Sequence, residues 1–230
     1  MHITNFSHRS EEFPTMLENV PLFESLSPED RSELEVGIHT QFFTRGSVLV
    51  GQGEASNNLL YIVLSGRLKV FTSNEEGREL LLDYLVEGDT FGELSLFDDE
   101  PRSATVMTVE DCKIGLFPRA FLFTCLQNNP NIAIELLRTV IKRMRNTTEQ
   151  VSSLALLDIY GRIAKVLTGM AKPQEDGRLV TDTLTHQELS TMVGSSREMV
   201  TRILNDLKRG GYVGIDNHRI EIKNRLPLRW

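Results

Sequence analysis

Residues 91–104 read Phe-Gly-Glu-Leu-Ser-Leu-Phe-Asp-Asp-Glu-Pro-Arg-Ser-Ala, a stretch whose residue types could hold a sugar phosphate. Gly92 lets backbone N–H groups approach a ligand closely, and successive amides can cradle a phosphate. Arg102, nine residues after Glu93, is the stretch's only cation and offers a planar fork of donors; the hydroxyl of Ser103 follows it. Glu93 could accept hydrogen bonds from a sugar hydroxyl. Taken singly, Arg102 reads as a solvated loop arginine and Asp98-Asp99-Glu100 as an exposed acidic turn. Their ordered combination points to phosphate binding.

A second constellation runs from His186 through HQELSTMVGSSREMVTRILNDL. Counting His186 as one, Leu189, Val193, Val200 and Ile203 are apolar at positions 4, 8, 15 and 18, with small Ser190 at 5 and Gly194 at 9. A small residue where two helices cross and a glycine in the turn between them is the helix-turn-helix pattern. A generic helical hairpin shares the apolar spacing but rarely both small positions. Arg197, Glu198, Thr201 and Arg202 then fall on the outward face of the second helix, near the N-terminal end that enters a major groove. Arginine pairs with guanine O6 and N7, and glutamate accepts from cytosine N4. Ser195 and Ser196 are placed to contact backbone phosphate. Glu198 carries two readings, because Ser195-x-x-Glu198 also has the spacing of a capping box.

The elements that must position these residues follow from texture. Residues 1–20 lack apolar periodicity and read as a flexible arm, and Pro21 to Ile38 as a short helical lead-in with Ser27 as N-cap and Pro28 in the first turn. From His39 to Phe117 the chain turns to short β-rich runs punctuated by glycine, which favours a β-sandwich or barrel. After Pro118 it becomes helical. Ile134, Leu137, Ile141, Met144, Thr148, Val151 and Ala155 recur at alternating steps of three and four, a heptad seam that is polar at Thr148 alone. Such a helix packs either on its own domain or against a second chain. The near-strict spacing and the flanking Arg138, Lys142 and Arg145 favour the two-chain coiled coil. The helix is expected to end near Leu154–Gly161. Beyond it come a helix over Ile159–Met170, a polar turn at Lys172–Gly177, the helix-turn-helix, and a hairpin turning at Asp216-Asn217: a winged helix.

Composition agrees with this division. The 230 residues carry a net charge of −7, but residues 158–230 hold 12 Lys and Arg against 9 Asp and Glu, a net of +3. Residues 1–157 hold 13 against 23, a net of −10. An acidic module is joined to one able to approach a polyanion. The longest apolar run, Leu59–Leu64, is far short of a membrane span, and the N-terminus lacks a secretory pattern. Cys112 and Cys125 rule out a disulfide framework, point to a reducing cytoplasm and read as buried thiols. No nucleophile–base pair, P-loop or metal-ligand cluster stands out, so no enzymatic activity and no metal are expected.

Residues 91–104 together with the helix-turn-helix resemble the cyclic-AMP receptor protein superfamily of bacterial transcription regulators, over about Leu17 to Arg225. The resemblance implies an α+β architecture: a jelly-roll-like cyclic-nucleotide-binding β-roll at 21–129, a dimerisation helix and hinge at 130–157, and a winged helix-turn-helix at 158–230. By that resemblance Glu93 holds the ribose 2′-hydroxyl, Gly92 and Leu94 lie at backbone contacts, and Arg102 and Ser103 bind the cyclic phosphate. Thr147 and Thr148 contact adenine, one from each chain of a homodimer. Arg197, Glu198 and Arg202 complete the family's R-E-x-x-x-R base-reading trio, which implies a TGTGA-N6-TCACA-like palindrome in double-stranded DNA. The implied ligand is cyclic AMP, with cyclic di-GMP the alternative; iron–sulfur and haem relatives need ligands this sequence does not offer. RNA polymerase is the further implied partner, although Lys172–Gly177, in the place of the family's polymerase-contacting loop, is short and differs in composition. Two readings stand beside this one: a member that binds DNA without ligand, and a nucleotide-binding regulatory subunit of an enzyme or channel.

Overall fold

The computed structural model describes residues 16–226. Its first module is built from strands β1 (His39–Phe43), β2 (Val48–Val50), β3 (Leu59–Ser65), β4 (Leu68–Ser73), β5 (Glu79–Leu85), β6 (Thr90–Phe91), β7 (Thr105–Thr108) and β8 (Cys112–Pro118). They form two antiparallel four-stranded sheets, ordered β1-β8-β3-β6 and β2-β7-β4-β5. The apolar run at Leu59–Leu64 is explained by β3, which is covered on both faces. Tyr61 and Val63 point between the sheets with Val50, Leu68, Leu85, Val106 and Ile114. Leu60 and Ile62 point the other way, onto Phe23, Phe117, Leu122 and Ile132. A strand buried on both faces loses the alternation that a half-solvated strand shows. The two-residue β6 has no signal of its own in the sequence.

The reading of residues 1–20 as a flexible arm is corrected at its end. Leu17 and Val20 are 0% and 2% exposed and belong to the same core as Phe23 and Phe117. Two isolated apolar residues carry no periodicity, which is why pattern alone misses them. Residues 1–15 lie outside the described residues. A 3-10 turn at Pro21–Phe23 leads to helix α1 (Pro28–Glu35), where the Ser27 hydroxyl accepts from the Asp30 N–H at 3.1 Å. That single bond satisfies one of the orphan donors of the first turn.

Helix α2 (Leu94–Phe97) is one turn lying inside residues 91–104, and α3 (Arg119–Asn128) follows β8. After Asn129, whose side chain accepts from the Asn131 N–H, α4 (Pro130–Leu156) runs for 27 residues, about 40 Å at 1.5 Å per residue. Ile132 and Leu136 anchor its start in the roll's core. Its other apolar face is bare: Ile134 is 48%, Leu137 58%, Met144 63% and Val151 59% exposed.

The helix breaks at Leu157, and Asp158 caps α5 (Ile159–Met170) through the Gly161 N–H. Strands β9 (Lys172–Pro173) and β10 (Leu179–Val180), helices α6 (His186–Val193) and α7 (Arg197–Arg209), and strands β11 (Val213–Asp216) and β12 (Arg219–Ile222) complete the winged module. Its sheet order is β11-β12-β10-β9, so part of the expected polar turn at 172–177 is strand. The wing turns at Asn217 and His218, both in the left-handed region, one residue later than the sequence suggested. Leu167, Leu189, Val200, Ile203, Leu207 and Ile220 form this module's own core.

Candidate nucleotide pocket and DNA-reading face

Between the second sheet, α2 and α4 lies a cavity of about 210 Å³. Tyr61 and Phe91 stack at 4.7 Å beside it and fix the end of β6. There the chain turns at Gly92, whose φ of +88° suits glycine, and where a Cβ would come within 2.8 Å of the Arg102 Nη1. This close approach lets Arg102 fold inward. Its Nη1 donates to the Gly92 carbonyl at 2.9 Å and its Nη2 to Asn57 Oδ1 at 2.6 Å. Arg102 is only 6% exposed, and burial pushes its guanidinium below the usual arginine range. Among the described residues every hydrogen-bond acceptor it has is neutral, an arrangement that leaves its charge for an anion.

Glu93 is the cavity's other buried charge, at 4% exposure. Its Oε1 accepts from Arg143 Nη1 at 2.6 Å, and Arg143 Nη2 donates to the Thr90 carbonyl. Its Oε2 is buried and has no hydrogen-bond partner among the described residues. An ionised oxygen left this way is costly unless a donor arrives. Ser103 stands exposed at the rim, and Leu94, 48% exposed, opens α2. Gly92, Glu93, Leu94, Arg102, Ser103 and Thr147 therefore share one cavity.

Thr148 does not. The hydroxyls of Thr147 and Thr148 both donate back along α4, to the Arg143 and Met144 carbonyls at 3.0 and 2.9 Å. Successive helix residues point about 100° apart, so Thr147 faces this chain's cavity while Thr148 lies on the bare stripe with Met144 and Val151. Sequence reasoning missed Arg143, Asn146, Asp83 and Asn57. The first two share a helix face with Thr147 at i, i+3 and i+4, a spacing signal that was available. Nothing local pairs Arg143 with Glu93, 50 positions away. Arg143 also makes a second cation beside the one expected in Arg102.

In the winged module the turn residue Gly194 is left-handed at φ +61°, and the Ser196 hydroxyl accepts from the Met199 N–H at 3.2 Å. The expected Ser195-x-x-Glu198 box is thereby corrected: the cap is one residue later, and Glu198 sits at the second helical position. A true capping box stands at Thr185 and Glu188, opening α6. Glu198 is exposed, and its own backbone amide and the Ser196 hydroxyl hold its carboxyl below the ordinary range. Arg197, Glu198, Thr201, Arg202 and Asn205 line one shallow surface. Arg197 and Arg202 are exposed, while Thr201 is half-buried with its hydroxyl against His186 Nδ1 at 2.8 Å. Ser195 is half-buried and Ser196 exposed beside them.

Residues 40–129 match the cyclic nucleotide-binding domain family and residues 161–229 the Crp-like helix-turn-helix domain family. The CRP-like cAMP-activated global transcriptional regulator of Mycobacterium tuberculosis is 32% identical over 213 residues, covering 91% of this chain and 95% of its own. The cAMP-activated global transcriptional regulator CRP of Pasteurella multocida is 38% identical over 176 residues, 74% of this chain and 83% of its own. Among solved structures, the c-di-GMP responsive global regulator CLP of Xanthomonas campestris has a TM-score of 0.75 at 24% identity. It covers 86% of this chain and 100% of its own, a likeness that shows the fold.

Proposed function

The chain belongs to the CRP family of cyclic-nucleotide-responsive transcription regulators, and from that premise we propose that it is a cyclic-AMP-gated homodimer that reads a TGTGA-N6-TCACA-like palindrome. The observation that carries the ligand is the cavity itself. Among the described residues, a buried guanidinium bonded only to neutral groups and a buried carboxylate oxygen without a donor face one space. A ribose cyclic phosphate supplies an anion for Arg102 and a hydroxyl for Glu93. The cyclic phosphate of cyclic AMP fits this pair, and relatives named as cAMP-activated support it; cyclic di-GMP is the second reading, favoured by the likeness to CLP.

Dimerisation is supported by the bare stripe on α4, where Ile134, Leu137, Ile141, Met144 and Val151 flank Thr148. A partner helix covering that stripe brings Thr148 of each chain toward the other's ligand. Ligand then favours whichever arrangement of the two winged modules suits successive major grooves, and it does so only through tighter binding to that state. Arg197 and Arg202 take guanines and Glu198 a cytosine, with Ser195 and Ser196 at phosphates. The dimer works in the cytoplasm with RNA polymerase as its further partner. The test is calorimetric titration with cyclic AMP, cyclic GMP and cyclic di-GMP, followed by selection from random duplexes with and without the ligand that binds. Recovery of an unrelated, non-palindromic site overturns the paired-helix geometry.

A further inference from the structure

Strand β5 departs from regular alternation where it passes the cavity. Val70 of β4 pairs with Asp83 and Phe71 with Leu81, so Leu82 is the extra residue of a β-bulge. Bulges re-aim side chains beside binding sites, and here the consecutive residues Leu82 and Asp83 both line the cavity. Asp83 is thus a carboxylate set in a wall whose neighbours are Val70, Leu82 and Leu85. Among the described residues it has no ion pair, unlike Glu93; its Oδ1 accepts from the Tyr84 N–H at 2.9 Å. With Arg102 and Ser103 given to the phosphate, Glu93 to the ribose and Arg143 bonded to Glu93, the polar lining that is left is Ser95 on α2, beside Glu93, and Asp83 with Asn146 and Thr147 of α4. Resting on the nucleotide reading above, this places the base at that end.

We propose that Asp83 reads the hydrogen-bonding edge of the purine, taking adenine only in its neutral form and guanine in either form. A neutral carboxyl has one donor and one free acceptor. That matches adenine, whose N1 accepts and whose N6 amino group donates. An ionised carboxylate has two acceptors and matches guanine, whose N1–H and N2 amino group both donate. Guanine also meets the neutral carboxyl, through its O6 acceptor and N1–H donor, so only adenine against the ionised carboxylate sets an acceptor against an acceptor, and sites built on such pairing reject the wrong partner strongly. Binding cyclic AMP to the ionised protein therefore transfers one proton from solvent to Asp83, and binding cyclic GMP transfers none.

Burial raises the Asp83 pKa and is the leading influence; the Tyr84 N–H, Arg143 and Lys142 oppose it, and Asp89 reinforces it. Asp83 also lines the cleft toward the winged module, where Arg67, Glu149, Arg162 and Lys165 face it from the other side. Glu93 faces it within the cavity, already committed to Arg143.

The full chain is titrated by calorimetry with cyclic AMP and cyclic GMP from about pH 5 to about pH 8, a range that begins above the ordinary aspartate pKa of about 3.9. The ratio of cyclic AMP to cyclic GMP affinity should fall at least about tenfold across that range. Asp83→Asn, which carries a donor and an acceptor at every pH, should hold the ratio flat. A ratio independent of pH in the wild-type chain, or an unchanged slope in Asp83→Asn, overturns the proposal. A second measurement needs no variant: at the upper end of the range, cyclic AMP binding compared in two buffers of different ionisation enthalpy should show proton uptake, and none overturns it. If neither nucleotide binds at any pH, the pocket assignment itself fails, and Asp83 with it.

Discussion

Glu93 and Arg102 are 4% and 6% exposed and are held by Arg143, Gly92 and Asn57, whereas Arg197, Glu198 and Arg202 stand exposed on α7. The two regions handle charge in opposite ways because their ligands differ in kind. A small nucleotide must be enclosed, so the cavity buries charges and gives each a partial partner, leaving one lone pair or one unit of charge open. Duplex DNA is a surface with its own counterions, so the reading helix keeps its charges solvated until they exchange water for base edges. Errors in the cavity should therefore be large and felt by the fold; errors on α7 should be small and confined to single base pairs.

The severest break in that contrast is expected at the stripe that links the regions. Ile141→Asp places two carboxylates against each other in the proposed dimer seam, where unpaired charge is strongly unfavourable. Light scattering should report monomers, and affinity for a palindromic duplex should fall by roughly a thousandfold or more as one half-site is lost. A dimer with normal nucleotide response would mean that α4 covers its stripe in some other way.

Next comes Arg102→Leu, expected to lower cyclic nucleotide affinity about tenfold to a hundredfold, from a lost charge-assisted bond. The same change strands the Gly92 carbonyl and Asn57 Oδ1, so the thermal midpoint should drop as well. Unchanged affinity removes the pocket assignment. An unchanged midpoint would show that the cavity is less tightly built than its hydrogen bonds imply, and would weaken the contrast with α7.

How far the sequence revealed each region follows the same division. The reading helix was legible because its logic is local: Gly194, Ser190 and the apolar positions around them lie within one 22-residue window. Even there the cap slipped by one residue, since Ser195 and Ser196 are chemically equal and only backbone geometry separates them. The strands over 39–118 were legible from their glycine-marked ends, apart from β6, which is too short to show a period. In the cavity, Glu93, Arg102 and Ser103 stood out as a contiguous pattern. Their partners did not, because Asn57 and Arg143 reach them through tertiary packing across tens of residues. Leu17 and Val20 were lost for the same reason.

On α7 itself, Glu198→Ala should relax discrimination at a single base pair by roughly fivefold to a hundredfold while total affinity for the selected site changes less. Duplexes differing only at that pair, compared by competition, give the measurement. Equal relaxation at several positions would indicate that Glu198 orders the helix start and does not read a base.

The smallest effect is expected on the wing, where Arg219 and Lys223 are exposed and lie near acidic neighbours, Lys223 Nζ being 4.0 Å from Glu221. If Arg219 meets a phosphate, Arg219→Ala lowers affinity for every duplex alike and reduces the salt slope of binding by about 0.9. Site preference in a random-duplex selection should not move. Such a result sharpens the contrast, since it separates within one module the charges that position from the charges that read. A change in preferred sequence would instead assign the wing a base contact, and a slope unaltered within error would place Arg219 off the DNA, serving the Thr181 carbonyl it meets at 3.4 Å.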